Sequence, residues 1–281
     1  MDTPPTTSSE RQAELIYQRQ QRQKVRFKRG VIISWGVLLA LLLLAFSGVK
    51  FSLLGLQVRT IELDFDFMVQ KAPYIFGGVR WTVVLSILSI ILASILALLG
   101  ALGRMSKFPP AYALSTFYVS LMRGTPLYLQ IIFFFLALPQ IGIRLSGLWA
   151  GVAALGLNYG AYMTEIVRAG IESVPIGQRE AALAIGMKRA QIMRRVVLPQ
   201  ALQVVIPPIG NQFIAMLKDT ALVAITGYVH EILWRAQNVG KPAFRNLEAL
   251  LVAALFYWML TIIFELIQAR VEVRLARGKR Q

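Results

Sequence analysis

Six long apolar runs, separated by shorter polar segments, dominate the sequence. Each run is about as long as, or longer than, a helix rising ~1.5 Å per residue needs to cross the ~30 Å hydrocarbon core of a bilayer. The pattern predicts an all-α polytopic membrane protein with six transmembrane helices. The predicted spans cover residues 31–49, 81–103, 111–138, 146–168, 201–229 and 250–269.

The third run contains residues that interrupt a helix. Thr125 is a good N-cap and Pro126 a good first helical residue, so the helix is expected to end after Gly124 and restart there. A restarted half-helix presents N–H groups and a positive dipole end inside the membrane, which suits the carboxylate of an amino acid. The alternative is a structural kink where helices pack.

Two further runs carry helix-modifying residues. The fifth is too long to lie wholly in lipid, and its Pro207-Pro208 pair should kink or interrupt it. The fourth has glycines four residues apart, which allow close helix packing. These are Gly147 with Gly151, and Gly156 with Gly160.

The polar segments set the remaining organisation. The first span is too long for the ~7–15-residue core of a signal peptide, so it is expected to remain as an anchor. Between residues 61 and 67, apolar and acidic positions alternate in a strand-like or interfacial pattern. The expected divisions are a cytoplasmic tail (1–30), an anchor helix (31–49), an extracytoplasmic segment (50–76), a core of five spans (77–270) with a cytoplasmic loop (169–198), and a basic cytoplasmic tail (271–281).

Composition supports a membrane protein and gives its orientation. The chain is 56% hydrophobic with a mean hydropathy of +0.59, more than a soluble domain of this size needs. Its net charge of +16 would suggest nucleic-acid binding in a soluble protein, but here the basic residues cluster at the ends of apolar runs. The tails and the loops on their side hold 20 Lys and Arg against eight on the other side. Both termini and the loop 169–198 are therefore predicted to be cytoplasmic.

Several chemistries are excluded or disfavoured by residue usage. The chain has no cysteine and only one histidine, His230, so it has no disulfide and no clustered zinc ligands. No GxxxxGK[ST] motif is present, so any ATPase that drives this protein is a separate polypeptide. We therefore expect no enzyme activity, no metal and no cofactor in this chain.

The segment 178–199 is polar and basic and separates two apolar runs. It begins with good helix formers, and Gly186 can end a short helix with a positive φ. A short exposed helix with three alanines has little core of its own, so its expected use is to press against another protein. Ala181 and Ala182 would allow close approach, and Glu180 suits a helix start or a basic partner residue.

This segment resembles the EAA loop of the membrane subunits of ABC importers. Residues 123–127, 158–168 and 218–220 resemble signatures of the polar amino acid permeases, of histidine, glutamine and arginine type. The resemblance covers the chain from about residue 65 onward; many relatives lack the extension before it. It assigns contact with the ATPase to Gln178, Glu180, Ala181, Ala182, Gly186, Leu198 and Pro199.

The resemblance implies a type I importer permease whose last five spans form the shared core. Two such subunits, identical or paralogous, would pair in the cytoplasmic (inner) membrane of a bacterium. A cytoplasmic ABC ATPase dimer, which binds the ATP, would dock on their loops, and an extracytoplasmic binding protein would deliver an amino acid. Closure of the ATPase would push the Glu180 helix and switch the access of the pathway.

Polar side chains inside the spans are costly in lipid and are candidates for the substrate pathway. The candidates are Thr125, Asn158, Glu165 and Asp219. Glu165 either binds a substrate ammonium or pairs with Arg168 on the same helix face. Asn158 binds either substrate or a neighbouring helix. Lys218 and Asp219 are adjacent and are expected to point to different faces of their helix. The carboxylates of Glu165 and Asp219 weakly favour a substrate with a cationic side chain.

Two alternatives from other classes remain on the sequence alone. An ATP-independent channel or secondary carrier would use Glu165 and Asp219 to relay ions. A membrane-anchored scaffold would present the same docking helix but carry no flux.

Overall fold

The computed structural model describes residues 8–53 and 56–277; residues 1–7 and 278–281, the ends of the two predicted tails, lie outside this part. The chain divides into a unit that ends at Phe65 and a unit that begins at Asp66. The helices are α1 (Ser8–Ala45), α2 (Phe65–Phe76), α3 (Val79–Arg104), α4 (Pro109–Gly124), α5 (Leu127–Ile132), α6 (Gly147–Glu172), α7 (Ile176–Ala184), α8 (Arg189–Ile192), α9 (Leu198–Asp219), α10 (Ile232–Gly240) and α11 (Asn246–Arg277).

Shorter turns extend three of these helices. A π-helix, Phe133–Ala137, and a 3-10 helix, Leu138–Ile141, continue α5. A second π-helix, Met193–Val197, joins α8 to α9, and a 3-10 helix, Thr220–Thr226, follows α9.

The first unit contains α1 and an antiparallel hairpin of β1 (Lys50–Leu53) and β2 (Leu56–Arg59). Of the strand-like and interfacial alternatives for residues 61–67, the strand-like one is wrong. The segment contains an isolated bridge between Glu62 and Ser47 instead of a strand, and α2 already begins at Phe65. Asp66 in the first turn of α2 interacts favourably with the positive end of the helix dipole, which stabilises a helix start at this point.

The predicted count of six transmembrane helices is not confirmed. By length and hydropathy, the described residues contain three helical stretches able to cross a membrane: Arg19–Ala45, Phe65–Arg104 and Asn246–Leu275. A fourth crossing results if α4 and the helix after its break, bent by 106°, form one span. Helix α6 is not among these stretches, and many of its residues are buried within the second unit.

Helices α3 and α6 pack closely, and their glycines permit this. A Cβ on Gly156 would lie 2.6 Å from Leu92, and one on Gly160 would lie 2.7 Å from the Tyr118 hydroxyl. At the other end of α6, a Cβ on Gly151 would lie 2.7 Å from Val223. The predicted close packing along α6 is confirmed. The central apolar cluster of this unit includes Leu85, Ile131, Leu155, Met163 and Met216.

Helix α9 continues through its two prolines, so the predicted interruption does not occur. The amide of Gln268 on α11 donates to the Pro207 carbonyl oxygen (3.2 Å) and to Asn211 Oδ1 (3.0 Å). A neighbouring helix thus places a polar side chain beside the prolines.

Helix α10 has no counterpart among the predicted spans. Its N-cap is the buried Glu231, whose carboxylate accepts from the N–H groups of Leu233 (2.9 Å) and Trp234 (2.6 Å). The hydroxyl of Tyr257 on α11 donates to the same carboxylate. Burial raises the pKa of Glu231 to about 7, although these hydrogen bonds oppose the shift.

Candidate functional site

The loop between α6 and α9 builds a small apolar core, contrary to the expectation that its helix has little core of its own. Ala182 of α7 is 5% exposed and packs with Ile171, Val174, Ile192 and Val197. Ala182 is therefore small because its own chain surrounds it. Ala181, in contrast, is exposed.

Gly186 ends α7 with a φ of +81°, so its predicted positive φ is confirmed. The N–H of Gly186 donates to the Leu183 carbonyl (2.9 Å), and the N–H of Met187 donates to the Ala182 carbonyl (3.1 Å). These two bonds form a Schellman motif, and Met187 packs against the apolar cluster that contains Ala182. The motif reverses the chain directly after α7.

Two side-chain contacts tie α7 to the helices on either side of it. Arg179 donates to the carbonyl oxygen of Ile171 in the last turn of α6. Gln178 accepts a hydrogen bond from Gln200, next to Leu198 and Pro199 in the first turn of α9. The loop is thus a fixed connection between α6 and α9.

The remaining surface of α7 is open and largely apolar. Ile176 is 72% exposed, Leu183 53% and Ile185 79%. Glu180 and Ala181 are exposed beside them. We call this set, Ile176, Glu180, Ala181, Leu183 and Ile185, the α7 face. Large apolar side chains grouped with a single carboxylate are typical of a contact surface.

The helix breaks between α4 and α5, as predicted, but Thr125 does not cap α5. Its hydroxyl donates back to the Leu121 carbonyl in α4 (2.9 Å), and Pro126 occupies the N-cap position of α5. Proline has no side-chain acceptor, so α5 starts without a side-chain cap. Thr125 belongs to the end of the preceding helix.

Gln130 holds this break together, and sequence reasoning did not select it. Its amide donates to Thr125 Oγ1 (2.8 Å) and to the Met122 carbonyl (2.9 Å). Asn158 of α6 donates to the same Met122 carbonyl (3.0 Å) and to Gln130 Oε1 (3.2 Å). Asn158 therefore binds neighbouring helices. A lone glutamine within an apolar run was the signal for Gln130.

Three of the four predicted pathway residues line one cavity, of about 520 Å³, which we call cavity A. Thr125, Asn158 and Asp219 face it, together with Arg123 of α4. Oδ2 of Asp219 accepts from the Tyr159 hydroxyl at 2.7 Å, which fixes the carboxylate at the cavity wall. Lys218, next in the chain, is exposed and not among the residues that line cavity A. Gln212, Tyr159 and Tyr162 complete the polar lining.

Glu165 lines a different cavity. Its Oε2 accepts from Arg168 Nε (3.0 Å) and Nη2 (2.9 Å), so the predicted local ion pair is present. Arg104 at the end of α3 is a second partner, with Nη2 3.4 Å from Glu165 Oε1. Arg168 also pairs with Glu172 at 2.7 Å. The second cavity, of about 440 Å³, is called cavity B. In the described part of the chain, no group of three or more His, Cys, Asp or Glu residues could hold a metal ion.

Comparison with known proteins gives this architecture a family. Residues 89–277 match the family described as binding-protein-dependent transport system inner membrane component. The chain belongs to this family. The L-cystine transport system permease protein TcyB of Bacillus subtilis (strain 168) is 44% identical over 216 residues, which are 75% of this chain and 91% of that protein. The arginine transport system permease protein ArtQ of the same organism is 37% identical over 216 residues, 76% and 98% of the two chains.

A solved structure supports the same assignment. The chain is similar to one in the crystal structure of an amino acid ABC transporter with histidines, with a TM-score of 0.71 and 34% identity. The match covers 76% of this chain and 100% of that one. The resemblance to ABC importer permeases is therefore confirmed, and so is the helical permease fold. The two relatives are transport system permease proteins by name, and the described part of this chain contains three helical stretches apolar enough to cross a membrane.

Proposed function

We propose that this chain is the permease subunit of an ATP-driven importer of polar amino acids. The observation that carries the proposal is the match along the whole length of a chain from an amino acid ABC transporter. Cavity A adds a polar chamber of about 520 Å³, within the range of small-molecule sites. ATP would be hydrolysed by a separate subunit, so the chain itself would be no enzyme and would need no cofactor.

The proposed assembly follows from the same reasoning. Two permease subunits, identical or paralogous, would pair in a bacterial cytoplasmic membrane with both termini in the cytoplasm. A cytoplasmic ABC ATPase dimer would receive the α7 face, and an extracytoplasmic binding protein would deliver the substrate to the opposite side. We retain the divisions inferred from sequence, with the permease core at 77–270 and its coupling loop at 169–198.

Cavity A would receive the amino acid. Its lining includes one cation, Arg123, and one anion, Asp219, which match the carboxylate and the ammonium group of a zwitterion. The Asp219 carboxylate, which is held by Tyr159, also suits the cationic side chain of a substrate. This arrangement agrees with the weak preference for basic amino acids inferred from the sequence. Asn158 and Thr125 would shape the cavity through their bonds to the break after Gly124.

Reconstitution tests this function. The chain is placed in proteoliposomes with its ATPase and binding protein, and uptake of L-arginine, L-cystine and L-histidine is measured separately. We expect uptake of at least one that requires ATP. Uptake at the same rate without the ATPase would support a secondary carrier instead. ATPase binding without uptake of any of the three would favour the scaffold.

The α7 face is tested by charge reversal. Glu180→Lys should release the ATPase or uncouple ATP hydrolysis from uptake, because it places a cation where a basic partner residue is expected. Glu172→Lys is the matched control: Glu172 is exposed like Glu180, but it lies at the end of α6, outside the α7 face. Co-purification of the ATPase and the ATP hydrolysed per substrate are measured. Equal behaviour of the two variants would contradict the assigned contact.

A further inference from the structure

Cavity B adjoins cavity A and is built from chemically different residues. The two cavities share a wall made by Arg123, Gly124 and Tyr162. In that wall the Arg123 guanidinium carbon lies 5.1 Å from the centre of the Tyr162 ring, a cation–π contact. Beyond the wall, Thr116 and Ser120 of α4, Arg104 and Glu165 line cavity B.

The position of cavity B follows from the numbering along α6. Asn158 faces cavity A, Tyr162 borders both cavities, and Glu165 faces only cavity B. At ~1.5 Å per residue, Glu165 lies about 10 Å further along the axis of α6 than Asn158. This displacement is toward the end of α6 that leads into α7. A substrate that moved from cavity A toward that end would enter cavity B.

The charges in cavity B leave two groups able to accept a ligand. Among the described residues, Glu165 Oε1 is buried without a hydrogen-bond donor, and its contact with Arg104, at 3.4 Å, is long. An ammonium group can therefore replace Arg104 at this oxygen. No ion pair of Arg123 occurs within residues 8–53 and 56–277, so its guanidinium can receive a carboxylate. The hydroxyls of Ser120 and Thr116 add neutral polar contacts.

We propose that cavity B is a second binding station for the transported amino acid, entered from cavity A by displacement of Arg123 from the Tyr162 ring. In this station Glu165 holds the ammonium group and Arg123 the carboxylate. This inference rests on the proposed import of amino acids. It assigns Glu165 a role after the first binding step, which a purely structural ion pair would not have.

The experiment measures kcat and KM for ATP-driven uptake of L-arginine, L-cystine and L-histidine by the full reconstituted complex. Glu165→Gln keeps the shape of the side chain but removes its charge, and it should lower kcat about tenfold, the effect of losing one hydrogen bond to a charged group. KM should stay within about twofold, because binding in cavity A precedes this step. Glu172→Gln is the matched control, since it removes the other carboxylate that pairs with Arg168 but lines neither cavity.

A second pair of variants tests the cavity without changing charge. Ser120→Phe fills cavity B and should lower kcat about tenfold or more, whereas Ser120→Ala leaves the space open, removes only one neutral polar contact and should lower kcat much less. Native uptake rates in both Glu165→Gln and Ser120→Phe would overturn this inference but not the proposed function. So would equal losses in Glu165→Gln and Glu172→Gln, which would assign the effect to the ion-pair network. A native complex that imports none of the three amino acids would overturn the proposed function and this inference together.

Discussion

Gly186→Ala tests whether the turn after α7 matters for coupling. A Cβ at Gly186 meets no atom within 4 Å, so the substitution creates no clash. Its cost is the backbone strain of an L-residue at a φ of +81°, about 1–2 kcal/mol. Helix α7 has only nine residues, too few to be stable without its cap and its packing. A free-energy loss of that size raises the ratio of unfolded to ordered α7 by a factor of about 5–30.

Gly142 provides a matched control for this strain. It has a φ of +87°, and again no atom lies within 4 Å of a Cβ built there. It ends the 3-10 helix that follows α5, remote in sequence from the α7 loop. Gly142→Ala should therefore cost about the same strain energy without touching the α7 face. Gly186→Asn should recover part of the loss, because asparagine tolerates a positive φ.

The assay compares the three variants in the reconstituted complex. Hydrogen exchange of the α7 amides should be about 5–30-fold faster in Gly186→Ala, and the ATP hydrolysed per substrate should rise. Both quantities should be native in Gly142→Ala and intermediate in Gly186→Asn. The reasoning is refuted if α7 exchanges at the native rate in Gly186→Ala, or if both alanine variants change coupling equally.

Three further predictions follow from other parts of the structure. Ala182→Leu should destabilise the α6–α9 loop by about 1–3 kcal/mol, because a larger side chain overpacks this buried position. Ala181→Leu, at an exposed position, should leave the stability of the chain unchanged and weaken ATPase binding. Thermal unfolding measures the first effect and co-purification of the ATPase measures the second. A cysteine at Gln191 should resist an impermeant thiol reagent in intact cells while one at Gln237 reacts, and the reverse would invert the topology. The Glu231 carboxyl has a pKa of about 7 in the folded protein, against an ordinary value of 4.5. Between these two pH values the native state binds more protons than the unfolded state. The free energy of unfolding should therefore fall by an amount on the order of 3 kcal/mol as pH rises from about 4.5 to 7. Exchange of the α10 amides should report this slope, and Glu231→Gln should abolish it.

Much of the helical framework was readable from the sequence because apolar length and glycine spacing act locally. The break after Gly124 and the end of α7 at Gly186 depend on neighbouring residues in the chain. The spacing of the α6 glycines is also a local pattern, although the residues that they pack against are distant in sequence. The local pair of Glu165 with Arg168 was found for the same reason.

What the sequence missed depends on contacts between distant segments. Helix α10 is short, and its N-cap Glu231 is buried against Tyr257, so no apolar run in the sequence predicts this helix. The burial of Ala182 requires Ile192 and Val197 from the following segment, and composition alone cannot show that packing. The spacing along α6 places Glu165 and Asn158 on one face of the helix. That Glu165 nevertheless lies outside cavity A can be predicted only when the path of α4 is known.

Helix α6 links these features mechanically. One of its faces carries Gly156 and Gly160 against α3 and α4, and another carries Asn158 and Glu165 toward the two cavities. Its last turn is joined to α7 twice, by Arg179 on the Ile171 carbonyl and by the apolar core around Ala182. Packed interfaces of this kind shift between discrete arrangements instead of deforming continuously. A push on the α7 face would therefore move α6 as a unit, and with it one wall of both cavities.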